Sequence, residues 1–392
     1  MKLVFSGKKS RREILKKTQD TPFILKKRFG KDWFYDDNWR NILVLGNNLN
    51  VMKDLLFDKH MKGKIGLVYI DPPFSTNHNF RAGKLRTSTV SSSENDDLAY
   101  EDKLVGEDYI EFLRERLILL RDLLSNKGSI YVHIDWKMGH YVKVLMDEIF
   151  GQEHFVNDIA RIKCNPKNFD RKAYGNIKDM ILFYSKTNDF TWNDSYQEYT
   201  EEQISRLFPK IDKDGRRYTT YPLHAPGETR NGPTGQSWKG MTPPKGRHWR
   251  CAPETLEKLD KEGLIEWSSK GNPRRKAFAD ETDEKPVKRQ DVWEFKDPPY
   301  PKYPTEKNLD MLKTIIEASS NVGDIVLDCF AGSGTTIVAA EQLNRKWIGI
   351  DSSAIAIERT LRRIIENKNA HPFAFYTDIK SSITDGIQKI LQ

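Results

Sequence analysis

Short apolar runs alternate with amphipathic segments along the first half of this 392-residue chain, lapse near residue 187 and resume near residue 307. "NILVLGN" (41–47), "KIGLVYI" (64–70) and "SIYVHID" (129–135) have the length and β-branched content of buried strands. "NVMKDLLFDKH" (50–60), "YIEFLRERLILLRDLLSNKG" (109–128) and "GHYVKVLMDEIFG" (139–151) carry apolar residues at helical spacing, the last two closing on Gly128 and Gly151. "DIARIK" and "MILFYSK" read as further strands. After the lapse come a helix (307–320), a strand (324–330), a helix (335–344), a strand (346–351) and a closing helix (354–367). Strands and helices in alternation predict an α/β fold, a mostly parallel sheet with flanking helices.

The lapse itself is rich in Gly, Pro, Arg, Trp and Tyr and has little helical periodicity. It reads as a separate module interrupting the α/β domain. The expected organisation is a basic N-terminal arm (1–38), the first part of the α/β domain (39–186), the inserted module (187–300) and the second part (301–392). The arm reads as a solvated basic helix or a strip lying along phosphate. Residues 81–108, Ser-rich and then acidic, read as a long loop. A net charge of +8 suits a polyanionic partner. Three widely spaced cysteines argue for a reducing compartment and against a disulfide framework or a zinc site. The scattered histidines His133, His140, His224 and His248 lack metal-ligand spacing, so no metal is expected. No run is long enough for a membrane span, and the first residues lack the apolar stretch of a secretion signal, so the expected location is cytoplasmic.

Asp-Pro-Pro followed by an aromatic residue occurs twice: "DPPF" (71–74) and "DPPY" (297–300). The first follows an apolar strand, and ligands in open α/β sheets bind outside the carboxyl ends of strands. Pro72 and Pro73 have fixed φ and no amide hydrogen. An anionic Asp71, a stiff carbonyl and the ring of Phe74 then share one turn. That set suits an exocyclic amine on a flat ring: two acceptors for its hydrogens and an aromatic face for stacking. The second copy follows "WEFK" and runs into more prolines, and reads as a rigid extended linker.

"DCFAGSGTT" (328–336) places Gly332 and Gly334 between a strand and a helix. Glycine lets the backbone approach a ligand, and a helix N-terminus favours a carboxylate or phosphate. No Gly-Lys-Ser/Thr follows, so this is not a Walker phosphate loop. Asp351 ends the next strand about 20 residues on, where an acidic residue can hold ribose hydroxyls. The set describes a nucleoside cofactor with a small charged end. NAD would satisfy the loop, and the Asp71 turn tips the choice toward S-adenosylmethionine.

These motifs resemble those of the DNA amino-methyltransferases of permuted motif order, the β class, and are most similar to adenine-specific members, including modification subunits of type III restriction systems. The likeness runs from about residue 39 to the end. It implies a Rossmann-like class I methyltransferase fold with an inserted target-recognition module, and catalysis at Asp71, Pro72, Pro73 and Phe74. "YPTEKNLDMLKTIIEASS" (303–320) resembles the family's Pro-Thr-Gln-Lys-Pro segment, and "FAGSGTT" its cofactor loop. S-adenosylmethionine is therefore expected at Asn47, Thr305, Lys307, Asp328, Phe330, Ala331, Gly332, Ser333, Gly334, Thr335 and Asp351. The chain departs from the family at Asn47, where Asp is usual, and at Glu306 and Asn308, where Gln and Pro are usual. The implied reaction is methylation of N6 of an adenine flipped out of double-stranded DNA. A cognate restriction endonuclease and a homodimer are implied partners.

Within the module Arg216, Arg217, Lys239, Arg247, Arg250, Arg274 and Arg275 are candidates for DNA contact, most of them to phosphate and a few to base edges. Trp238 and Trp249 are read as core. Two rival readings remain open on sequence. One is N4-cytosine methylation, whose enzymes more often carry Ser in place of Asp71. The other is a non-catalytic DNA-binding specificity subunit, against which Asp71 and the glycines stand.

Overall fold

The computed structural model describes residues 2–16, 23–30, 39–73, 79–82, 97–101, 106–166, 172–229, 231–281, 287–298, 306–367, 369–378 and 381–392, with backbone alone at 79–82 and 97–101. Two compact units emerge: residues 1–195 together with 290–392, and residues 196–289.

The larger unit is built on a ten-stranded sheet. In chain order its strands are β1 (Ile24–Phe29), β2 (Asn41–Leu45), β3 (Ile65–Ile70), β4 (Leu124–Ile134), β5 (Phe155–Ile162), β6 (Lys178–Ser185), β7 (Val292–Glu294), β8 (Ile325–Asp328), β9 (Lys346–Asp351) and β10 (Phe373–Thr377). They lie side by side as β1-β10-β2-β9-β8-β3-β4-β6-β5-β7. The central run from β10 to β4 is parallel throughout, while β1 and β6 pair antiparallel. Side chains alternate between two cores. Val68 and Ile70 face helices Asn48–Phe57, Gly106–Leu123 and Gly139–Phe150, while Leu67 and Tyr69 face helices Leu309–Ser319, Thr335–Gln342 and Ala354–Glu366. The result is the expected α/β sandwich of helix, sheet and helix. Among the described residues no helix is long and apolar enough to cross a membrane.

Several expectations change. The long helix ends at Leu123, not at Gly128. Leu124 already pairs with Ile65 in the sheet, and Gly128 lies within that strand, where a Cβ would meet the Ile65 carbonyl at 2.9 Å. The described N-terminal residues are tied to the larger unit. The capped turn Arg11–Leu15 is joined to helix Gly106–Leu123 by an Arg11–Asp122 ion pair, and Lys8 reaches Glu148 at 2.7 Å. Residues 24–29 form the sheet's edge, where lysines discourage further pairing. Of the expected loop over 81–108, residues 83–96 and 102–105 lie outside the described residues, and Asn79–Ala82 pairs antiparallel with Asp97–Glu101.

The second Asp-Pro-Pro differs most from its sequence reading. A strand does deliver it to the sheet: β7 pairs in parallel with β5, with Trp293 buried behind it. Asp297 then closes on the fully buried Arg161 at 2.5 Å, and Arg161 Nε donates to the Phe295 carbonyl at 2.8 Å. Asp297 is thus a brace at the sheet edge, while the stretch from residue 299 to 305 that was read as a linker lies outside the described residues.

The smaller unit starts at Tyr196, later than the composition suggests, because Phe190 and Trp192 pack on Phe183 of the sheet. It holds a four-stranded sheet, of which Arg217–Pro222 and Pro273–Phe278 are the central pair, and helix Pro253–Lys261. Its own small core gathers Leu223, Trp238, Trp249, Leu256, Leu259 and Ile265, so both tryptophans are core as expected. Tyr196–Gln197 pairs antiparallel with Val287–Lys288, so the unit begins and ends at one place.

Candidate active site

β3 and β8 are neighbours and end together, so their carboxyl ends bring Asp71 and Asp328 to one edge of the sheet. Around them opens a cavity of about 290 Å³. It is lined by Asp71, Pro72 and Pro73 from the first turn, by Asn47, by Lys307, by Asp328, Phe330, Ala331, Gly332, Ser333 and Thr335 from the glycine-rich turn, and by Asp351. Residues far apart in sequence are thus gathered at one site. Gly334 caps helix Thr335–Gln342 at φ 79° behind this lining, and a Cβ there would strike Thr360 at 2.6 Å. Phe74 and Thr305 lie outside the described residues.

The turn is held by its own side chains. Asp351 accepts the amides of Gly332 and Ser353, each at 2.8 Å, so it braces the loop as well as facing the cavity. Gly332 stands at φ 51°, and a Cβ built there would meet only the Phe330 carbonyl, at 4.0 Å. The space above it is open to a ligand. Asp328 accepts the Phe330 amide at 2.9 Å. Burial pushes its carboxyl up to about 7, Thr336 and the Phe330 amide oppose that rise, and the nearby carboxylates of Asp71 and Asp351 add to it. Burial likewise raises Asp351.

Asp71 is polarised differently. Its Oδ2 meets Lys307 Nζ at 2.6 Å. Its Oδ1 is buried and has no hydrogen-bond partner among the described residues. A buried acceptor left without a donor costs free energy unless a ligand supplies one. The residue before Lys307 is anchored too: Glu306 pairs with Arg363 at 3.2 Å, and Arg363 donates to the Ser333 carbonyl at 2.9 Å. The unusual glutamate therefore ties its segment to the glycine-rich turn.

Sequence reasoning missed part of the wall. Arg116, on helix Gly106–Leu123, donates to Asn48 Oδ1 at 2.8 Å, and Asn48 donates to the Cys329 carbonyl at 2.8 Å. Arg116 also lies 3.5 Å from the Phe112 ring centre, and burial pulls its guanidinium down to about 10. The available signal is an arginine set among Leu113, Leu117 and Leu120 on the buried face of the helix. Tyr69 was read only as strand, yet it lines the cavity and its hydroxyl meets His133 Nδ1 at 2.9 Å. His133 Nε2 in turn faces Asp179 at 3.2 Å.

In the smaller unit the basic candidates divide. Arg216 is paired with Asp280 and Glu281, and Lys239 with Asp260. Arg247 lies 3.1 Å from His224, and Arg250 and Arg275 both sit near the Tyr221 ring. Arg274 is turned back on Thr220, to its hydroxyl at 2.9 Å and its carbonyl at 2.7 Å. His224 is held below its usual value, first by burial and then by Arg247, Arg250 and Arg274 around it. Arg217 is half-buried, on the strand paired with Pro273–Phe278.

A family model described as DNA methylase matches residues 65–362. The Type II methyltransferase M.EcaI of Enterobacter cloacae is 41% identical over 369 residues, covering 92% of this chain and 77% of its own length. The Type III restriction-modification enzyme StyLTI Mod subunit of Salmonella typhimurium is 26% identical, and the EcoP15I Mod subunit of Escherichia coli 24% identical, each over 79% of this chain. This chain spans 51% and 57% of the lengths of those two subunits. Among solved structures, the PvuII DNA methyltransferase (cytosine-N4-specific) aligns over 84% of this chain and 89% of its own, at 14% identity and a TM-score of 0.44.

Proposed function

This chain belongs to the DNA methylase family, and on that premise we propose that it methylates the exocyclic N6 amine of adenine in double-stranded DNA, using S-adenosylmethionine. The observation that carries the reading is Asp71 Oδ1, a buried acceptor without a donor at the turn of two prolines. An N6 hydrogen supplies that donor, and the Pro72 carbonyl is the second acceptor. The amine lone pair is otherwise delocalised into the ring. Two acceptors draw the nitrogen toward tetrahedral geometry and free its lone pair. They also stabilise the positive charge that grows on nitrogen as it gains a methyl. The proton shed afterwards leaves through Asp71 or water.

S-adenosylmethionine supplies an electrophilic methyl group on a sulfonium when bound. The residues present fit it. The open space over Gly332 admits a ligand against the backbone, the start of helix Thr335–Gln342 suits its carboxylate, and Asp328 and Asp351 suit its cationic and ribose parts. Phe74 is assigned the stacking face for an extruded base. Arg247, Arg250 and Arg275 are assigned to DNA, and the Type II and Mod relatives support a role in restriction-modification.

The test is transfer from labelled S-adenosylmethionine to mixed-sequence duplex DNA, followed by nucleoside digestion and mass spectrometry. N6-methyladenine is the expected product. N4-methylcytosine would overturn the base assignment, and cofactor binding without any methylated nucleoside would overturn the assignment of catalysis.

A further inference from the structure

We propose that Lys307 is a positioning residue for methyl transfer, acting on the Asp71 carboxylate rather than serving only to hold the cofactor. The inference rests on the methylation reading above and extends it to a residue whose family motif implies cofactor binding alone.

The geometry is specific. Lys307 Nζ lies 2.6 Å from Asp71 Oδ2, and the two side chains are only 11% and 17% exposed. The other oxygen, Oδ1, is the buried one left without a partner among the described residues. A carboxylate free to rotate would exchange its oxygens, and either could face the cavity. With a cation on Oδ2 the rotation is arrested and Oδ1 keeps a single direction. The lysine is itself fixed from both sides. Glu306 before it is paired with Arg363 at 3.2 Å. Asn308 after it caps helix Leu309–Ser319, accepting the Met311 amide at 3.0 Å, and donates to the Lys296 carbonyl at 3.0 Å. The ammonium is therefore carried on a braced backbone, not on a free loop.

Charge gives the arrangement its purpose. Asp328, Asp351 and Glu306 line the same cavity, with Arg116 as a second cation and Tyr69 and Cys329 as uncharged titratable neighbours; His133 stands behind Tyr69. A protonated Asp71 would turn a donor toward an amine that needs an acceptor. Lys307 opposes that outcome by stabilising the anion at short range. In the transition state the same pair leaves Oδ1 aligned with the N–H that gains acidity, so the lysine acts through the aspartate and touches neither reacting atom.

The test compares wild type with Lys307→Met, which keeps the stem and removes the charge, and with Lys307→Arg. With Lys307→Met, kcat at saturating DNA and cofactor is expected to fall about a hundredfold, the scale of a small misplacement of a catalytic group. The Kd for S-adenosylmethionine is expected to weaken by less than about tenfold, since Lys307 also lines the cavity. The acid limb of the kcat–pH profile should move to higher pH, and Lys307→Arg should restore part of the rate. A Kd weakened tenfold or more with kcat at saturation unchanged, or a fall in kcat without movement of the acid limb, would overturn the proposal. Isotope-edited infrared titration of the aspartate carboxyls needs no substrate. One carboxyl, absent in Asp71→Asn, should titrate at higher pH in Lys307→Met than in wild type, and an unmoved titration would overturn the inference. If wild type methylates no DNA while this titration moves, the functional reading fails and the Lys307–Asp71 coupling stands.

Discussion

Asp71 ends a strand and opens a turn whose next two residues have no amide hydrogen, so its carboxylate faces the cavity with one oxygen tied to Lys307 and the other untied. Asp71→Ala should lower kcat by about a thousandfold, the upper range for losing one group that stabilises developing charge. DNA and cofactor binding should survive, and turnover near wild type would end the assignment. Asp328 carries a second prediction. Its carboxyl is pushed up to about 7, so the folded protein holds that proton more tightly than the unfolded chain. Its contribution to stability is therefore complete below about pH 4 and declines as pH rises to about 7. A cationic cofactor favours the ionised form. Its affinity should weaken as pH falls below about 7, and calorimetry in buffers of different ionisation enthalpy should detect proton release on binding near neutrality. A pH-independent affinity with no proton release would refute this. At this scale the sequence was most legible where chemistry demands a local string, as at Asp71–Pro73 and Asp328–Thr335. Arg116 and Asn48 were hidden because only the fold brings them to the Cys329 carbonyl.

Elements were legible where their periodicity was decided by burial on both faces. β3, β4, β8 and β9 are central strands, and each shows as an apolar run. β1 and β7 were not visible. The first is a lysine-bearing edge, and the second is three residues long with one buried side chain. Both exist because a neighbour offers a free ladder, which no local pattern encodes. The helix from Gly106 was overextended because "LSNKG" lacks a helix breaker before Gly128, whereas pairing with Ile65 captures the chain at Leu124. The brace at the sheet edge can be tested directly. Arg161 lies fully buried, 3.6 Å from Asp179 and 2.5 Å from Asp297. Arg161→Met leaves Asp179 buried with less compensation and should cost about 3 kcal/mol by urea denaturation. A loss below about 0.5 kcal/mol, the range of ordinary surface changes, would show that the contact contributes little.

Over the whole molecule, the charge of +8 is unevenly available. Arg216 and Lys239 already face carboxylates, while Arg250 and Arg275 have no carboxylate partner among the described residues and share the Tyr221 ring. Arg250→Ala and Arg275→Ala should each weaken DNA binding and reduce the slope of log K against log salt by about 1, whereas Arg216→Ala and Lys239→Ala should leave the slope nearly unchanged. Equal effects from all four would show that ion pairing within the unit does not decide which side chains reach DNA. The compact units divide at 195/196 and 289/290, inside the span the composition marks off, because aromatic residues such as Trp192 and Trp293 pack with the larger unit's sheet. The paired strands at 196–197 and 287–288 have one more consequence. Strands so joined stand only about 5 Å apart, so the parent chain spans the same short gap whatever is stitched between them. Such a neck makes the insert a cartridge: it can be exchanged or lengthened without lengthening the path of the chain that carries it.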